Sequence, residues 1–285
     1  MIDAVGAAPA RRYHLRLTAA RRLPGAEQFG LVLMAVLVGL ALLAPLIASD
    51  PTVAVAGSFA PPSASHPLGT DDIGQDVFAR VLYGMRTSLA AAAIVIAFGV
   101  VVGGAIGLVA GARGGIVDAL LMRLTDAALA LPGPVMAIAI VAALGPSLRN
   151  TVVAVALVWW PWYARLVRGE VRALAARPHV DAARLSGVSR RRLLLRHLLP
   201  GAVPPVIVAA SLDVQILVLT LAGLSFLGLG SPPPAPELGA MAARGVDYLF
   251  GYPLVPLAPG IAVFLIAVAA NLAGDGVRDL FDAQP

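Results

Sequence analysis

The chain has 285 residues, of which 59% are hydrophobic and only 13% charged, with a formal net charge of +5 and no cysteine. A soluble globular domain carries about twice that share of charged residues, so the length is better divided into membrane spans than into soluble domains. The composition excludes disulfides and thiolate chemistry, and the positive charge points to an oriented membrane protein rather than to a nucleic-acid partner, because basic residues collect on the cytoplasmic loops of polytopic chains.

An all-α, polytopic architecture with six transmembrane helices is expected, a hydrocarbon core taking about 20 residues of helix per span. The first apolar run, 29–48, is FGLVLMAVLVGLALLAPLIA and follows a basic tail at 1–28 with Arg11, Arg12, Arg16, Arg21 and Arg22. It is longer than a signal-peptide core, so a retained anchor is expected. Residues 49–87 form a segment on the far side. The second run, 88–111, carries Gly99, Gly103, Gly104 and Gly107, which allow close helix packing where lipid supplies no hydrophobic drive. The third, 127–145, is interrupted by Pro132 and Pro134 and approached by Asp118, Arg123 and Asp126.

The fourth run, 151–164, places Trp159, Trp160 and Trp162 around Pro161, in keeping with anchoring at a headgroup boundary or packing in a subunit interface. The fifth, 202–230, holds Asp213 and Gln215. A carboxylate at that depth costs about 3 kcal/mol on insertion scales and should face the bundle. Asp213 then either lies on a translocation path, with Gln215, or hydrogen-bonds between helices. The sixth run, 254–273, completes a core at 88–276, with Asn271 and Asp275 expected near the interface and a tail at 277–285. With the N-terminus inside, 17 of the 21 arginines fall on the inner side and only Arg80, Arg86, Arg149 and Arg244 on the outer. The positive-inside rule therefore predicts that both termini are cytoplasmic.

The inner loop at about 170–201 contains the unusual stretch HVDAARLSGVSRRRLLLRHLLPG, residues 179–201. Pro178 suits a first helical turn, where its missing N–H costs nothing. A short helix over 180–186 is expected, with Gly187 as its left-handed cap. Ser189 would cap a second helix reaching Leu199. There Leu194/Leu198 and Leu195/Leu199 repeat at i, i+4 to face lipid or the bundle, while Arg192 and Arg196 face headgroups. Pro200 is expected to stop that helix and, with Pro204 and Pro205, to direct the chain into the fifth run. Arg190, Arg191 and Arg192 serve orientation, each gaining about 1 kcal/mol near anionic lipid.

The pattern D-A-A-x3-G-x11-L-P resembles the EAA loop of ABC-transporter permease subunits, with Asp181, Ala182, Ala183 and Gly187 matching its core and Leu199 and Pro200 its end. The blocks HPLGTDDIGQDVFARVLYGMRTSL (66–89), ARLVRGEVRAL (164–174), LSFLGLGSPPPAPELGAM (224–241) and the terminal GDGVRDLFD resemble the second permease subunit of peptide and nickel importers, over roughly 28–282 in the family's order. The resemblance implies a type I importer permease fold whose short coupling helix, between the fourth and fifth spans, seats on an ATP-hydrolysing subunit. It implies these partners: a second homologous permease, two ABC ATPase subunits, an extracytoplasmic solute-binding protein and the lipid of a bacterial inner membrane. ATP and magnesium would be used by the ATPases, no cofactor being bound by this chain. Five positions depart from the family's pattern: Asp181 for glutamate, Gln75 for a basic residue, Leu221 for glutamate, Leu238 for tryptophan and His197 where isoleucine is common.

No GxxxxGK[ST] loop is present, as a permease subunit without its own nucleotide site requires. No HExxH or GxSxG occurs and the four histidines are scattered, so no catalytic or metal site is expected. A stand-alone secondary transporter would show a repeated half and paired intramembrane carboxylates, which the sequence lacks. Peptide import is the leading expectation, with nickel or another small solute of the same branch as the alternative.

Overall fold

The computed structural model describes residues 25–282, so the five tail arginines lie outside the described residues. Among the described residues there is no strand, only two isolated bridges, Ala54–Gln75 and Thr70–Asp76. The first helix, α1 (Gly25–Ile47), is followed by an irregular segment and then by α2 (Val77–Phe98), which passes through a π-helical turn (Gly99–Gly103) into α3 (Gly104–Arg113) as one helix of 37 residues. The helix starts well ahead of the apolar run at 88 because Asp76 caps it. Its carboxylate accepts from the backbone N–H groups of Phe78 and Ala79 at 2.8 and 3.2 Å, and His66 Nδ1 lies 3.1 Å from its other oxygen. Cap chemistry sets a helix start that hydropathy does not register.

The third run, 127–145, holds α5 (Gly133–Leu144) and only the last residues of α4 (Gly115–Leu129), so the broken span begins about a dozen residues earlier than expected, as two helices bent by 79°. Pro132 drives the residue before it away from helical dihedrals, and Pro134 fits the first turn of α5, where no backbone donor is needed. Next comes α6 (Leu148–Ala175), then α7 (Pro178–Leu185). From α8 (Arg190–Leu193) the chain runs without a break through a second π-helical turn (Leu194–Leu198) into α9 (Leu199–Leu224). Pro200 therefore does not stop the helix. The N–H of Leu199 reaches back to the carbonyl of Leu194, and this widened turn accommodates a ring that would clash in a regular α-helix. Finally, α10 (Leu238–Gly245) and α11 (Leu254–Asp282) close the bundle.

Four of these helical stretches are long and apolar enough to cross a membrane, and the bent α4–α5 pair makes a fifth. The remaining expected span is α6, a helix of 28 residues. Its second half holds Arg165, Arg168, Glu170 and Arg172, so length and apolarity alone do not mark it.

α11 packs between α1 and α9, and α6 receives α3, α5 and α9. The main core joins α1, α2, α6, α9 and α11 through residues such as Ala44, Val95, Val155, Leu217 and Ile266. A second, smaller cluster of Val167, Val171, Leu174, Val180, Leu193, Leu198 and Ala202 lies where α6, α7 and α9 meet.

The glycines of the second run act unequally. A methyl group on Gly103 would sit 2.2 Å from the carbonyl oxygen of Trp160, and one on Gly107 2.3 Å from that of Ala164. At these two places the helix touches the α6 backbone directly, as small residues permit. Gly99 makes room for the buried ring of Tyr163, whereas a methyl at Gly104 would meet nothing closer than 3.9 Å. Gly107→Val should lower the unfolding midpoint of the detergent-purified protein by an amount equivalent to about 1–3 kcal/mol of overpacking. Gly104→Ala should leave the midpoint unchanged; equal effects of the two substitutions would contradict this packing.

Candidate functional site

At the end of the bundle opposite α7, residues 48–76 fold over the start of α2 and are held by Arg80, a side chain only 2% exposed. Its Nη1 donates to the carbonyls of Pro51 (2.9 Å) and Pro234 (3.2 Å) and to Oε1 of Gln75, and its Nε lies 3.4 Å from Asp71. Gln75 in turn donates from Nε2 to the carbonyl of Thr52 at 2.7 Å. This explains one departure from the family pattern. A basic residue at position 75 would face the Arg80 guanidinium, whereas an amide can accept from it and donate onward. Leu221 and Leu238 are both buried in the main core. Leu238 packs on Gly84, where a methyl would fall 2.9 Å from its Cδ2, and Leu221 sits where a glutamate would be a buried carboxylate.

Inside the bundle, the two polar residues of the fifth run are engaged by their own chain. Asp213 on α9 is 6% exposed and accepts from the indole N–H of Trp159 on α6 at 2.9 Å. Gln215 accepts from Asn271 on α11 at 2.7 Å. The tryptophan cluster thus contributes a hydrogen-bond donor in addition to apolar bulk, and Asn271 pairs with an adjacent helix. Thr151 donates to the carbonyl of Leu229 at 2.6 Å and pins the start of α6 to the end of the α9 stretch.

Toward α7, two rungs of charge join α4 to α6. Asp118 accepts from Nε and Nη2 of Arg168 at 2.5 and 2.9 Å and from Nη2 of Arg172 at 2.6 Å. Asp126 pairs with Arg165 at 2.7 Å on the surface. The sequence places Asp118 and these arginines in separate blocks; only the fold brings them together.

The helix α7 is built for exposure with a firm footing. Pro178 occupies its first turn. At its other end the N–H groups of Gly187 and Val188 reach the carbonyls of Arg184 (3.0 Å) and Ala183 (3.2 Å). That is a Schellman closure, and Gly187 takes the left-handed conformation it needs at φ +75°. Ala183 and Val188, the apolar pair of this closure, pack against the small cluster below. Val180 is fully buried there, against Val171 and Leu174 of α6 and Leu193 and Leu198 of the following helix. Burial of a valine is worth about 1.5–3 kcal/mol.

Asp181 and Ala182 face outward, and Leu185 is 90% exposed. Asp181 accepts from Arg184 at 3.0 Å, one turn along the same helix. Ser189 caps the next helix weakly, accepting from the N–H of Arg192 at 3.4 Å. Leu193 and Leu198 are the leucines that turn inward, while Leu195 and Leu199 are exposed, because the π-helical turn advances the register between them. Pro200 is exposed beside Leu199.

The described helices thus form a polytopic bundle from which one short, footed helix presents a bare outer side. Residues 103–284 match the family described as "binding-protein-dependent transport system inner membrane component", and the chain belongs to that family. Among curated relatives, it is 43% identical to the probable D,D-dipeptide transport system permease protein DdpC of Escherichia coli (strain K12), over 79% of this chain and 75% of that protein. It is 38% identical to the dipeptide transport system permease protein DppC of Alkalihalophilus pseudofirmus, over 90% and 84% of the two chains. Similarity to the nickel transport system permease protein NikC of Escherichia coli (strain K12) is 40%, over 78% and 80%. Among solved structures, a chain of the inward-facing MetNI methionine ABC transporter superposes with a TM-score of 0.59 at 20% identity, covering 71% of this chain and 97% of that one. This last likeness concerns the fold alone.

Proposed function

We propose that this chain is one of two permease subunits of an ATP-driven importer and forms half of a path for dipeptides or oligopeptides by alternating access. The observation that carries the reading is α7: a closed short helix, rooted by Val180 and exposed at Asp181, Ala182 and Leu185. Such a piece transmits force in either direction between the bundle and whatever seats on it. The partners are a second homologous permease, two ABC ATPase subunits that bind ATP and magnesium, and an extracytoplasmic solute-binding protein. Nucleotide must bind one packing of the assembly more tightly than the other for coupling to exist. Peptides are favoured as substrate because DdpC and DppC carry dipeptide transport in their names. Nickel is the second reading, on the similarity to NikC. In this assignment Asp213 serves as an interhelical tie, its carboxylate already engaged by Trp159.

Orientation follows from charge. The α7 end presents Arg177, Arg184, Arg191, Arg192 and Arg196 as exposed side chains, and the positive-inside rule assigns that end, with both termini, to the cytoplasm. The chain has no native cysteine, so single cysteines report topology cleanly. Ser65→Cys should react with an impermeant thiol reagent in intact cells, and Ser189→Cys should react only after permeabilisation; the opposite pattern contradicts the orientation.

Gly187 tests the coupling role. A β-branched residue at φ +75° is strained by about 1–2 kcal/mol, while asparagine tolerates the left-handed region. In a reconstituted transporter, Gly187→Val should abolish peptide-stimulated ATP hydrolysis and uptake, and Gly187→Asn should retain both. Wild-type stimulation in Gly187→Val would refute the assignment.

A further inference from the structure

We propose that Asp118 is a positioning residue for the coupling movement: by gripping Arg168 and Arg172 it makes α4 and the second half of α6 one rigid strut, which carries displacement of α7 to the bend between α4 and α5. The inference rests on the coupling role assigned to α7.

Three features of the fold support it. The first is the grip itself. Asp118 is 5% exposed and lies in the first turn of α4, where the helix dipole favours a carboxylate. It takes three charge-assisted hydrogen bonds from two guanidinium groups spaced i, i+4 on α6, so that both arginines point from the same face to one acceptor. A surface ion pair such as Asp126–Arg165, with both partners about half exposed, fixes little. Asp118 is different, because its carboxylate is buried and takes both guanidinium groups, so that removing its charge leaves Arg168 and the half-exposed Arg172 facing each other without an acceptor.

The second feature is position along α6. Arg168 and Arg172 bracket Val171, which with Leu174 receives the root of α7, and only two residues separate the end of α6 at Ala175 from the start of α7 at Pro178. On the same stretch, α3 presses directly on the α6 backbone. A methyl on Gly107 would lie 2.9 Å from the Arg168 nitrogen, and one on Gly111 3.0 Å from its carbonyl oxygen. The second half of α6 is therefore held from three sides, by α3, α4 and α7, and a push on α7 has no slack to take up there.

The third feature is the bend. α4 and α5 meet at 79° across the three residues between Leu129 and Gly133. The far limb, α5, is tied to the opposite half of α6: Asn150 donates from Nδ2 to the carbonyls of Leu144 and Gly145 at 3.0 and 2.8 Å, and Gly133 faces Val158. The two limbs of the broken span are thus fastened to different halves of α6, with the only irregular backbone between them. A few dihedral angles at Ala130, Leu131 and Pro132 suffice to change the angle, as in hinge motions generally. In the proposal, this bend is the element whose angle α7 biases.

The test uses the complete transporter in proteoliposomes with its ATPase subunits and binding protein, reading peptide taken up per ATP hydrolysed. Asp118→Asn should lower that ratio by about tenfold or more, within the range of allosteric coupling factors, while ATPase subunits still co-purify in full yield. Asp118→Glu, which keeps the charge, should restore most of it. An unchanged ratio in Asp118→Asn overturns the proposal.

Should Asp118→Asn fail to assemble, Arg172→Gln decides instead, since it removes one arm of the grip and leaves the Asp118–Arg168 pair in place. It should lower uptake per ATP hydrolysed by about fivefold or more, the lower end of coupling factors. An unchanged ratio in Arg172→Gln refutes the strut. Failure of the coupling role of α7 would register separately, as normal peptide stimulation in Gly187→Val.

Discussion

The burial of Val180 is the contact on which the account depends. It is the fully buried residue of α7, set in the cluster formed by the end of α6 and the start of the α9 stretch with Ala183 packed beside it, while neighbouring Asp181 and Ala182 face outward. A short helix isolated in water is unstable; this one is held by that anchor, by proline in its first turn and by the Schellman closure at Gly187. The result is an element whose inner side belongs to the bundle and whose outer side is available to a partner. Without the footing, movement at the exposed side would be absorbed by a flexible loop.

From that footing a line of close contacts runs into the membrane part of the molecule. Val171 and Leu174 receive Val180, and the α6 backbone around them is pressed by Gly107 and Gly111 of α3. Farther along, Gly103 meets the α6 backbone at Trp160, and Trp159 donates to Asp213 on α9. At the far end Thr151 is tied to Leu229 and Arg80 draws residues 48–76 onto the bundle. Helix α6 is thus the shaft of the structure. Its charged second half, which weakens it as a membrane-span signal, is the part that joins α4, α3 and α7.

Much of this was legible in the residues. The helix–glycine–helix form of the α7 loop followed from Pro178 and Gly187, since proline at a first turn and glycine after a last turn are backbone requirements that a single residue satisfies. The broken third run followed from Pro132 and Pro134. The fate of Pro200 did not, because whether a proline ends a helix or sits in a widened turn depends on what packs around it: Leu198 and Ala202 are buried on either side and hold the helix together. The start of α2 at Val77 was hidden because Asp76 acts through backbone hydrogen bonds rather than hydropathy. The Asp118 grip and the ties of Arg80 to Pro51 and Pro234 were beyond reach for a different reason, these partners lying 50, 29 and 154 residues away along the chain. The i, i+4 spacing of Arg168 and Arg172 hinted at a shared acceptor, but no pattern within the sequence names which of the nearby acids supplies it.

The central claim is that the bare side of α7 seats on an ATP-hydrolysing subunit, and a photoreactive amino acid at Leu185 tests it most directly. In membranes containing the whole transporter, illumination should give a covalent adduct between this chain and an ATPase subunit, with a yield that changes when ATP is added. A reactive group at Leu46, also largely exposed, on α1, should give none. Adducts with lipid alone at both positions would contradict the account.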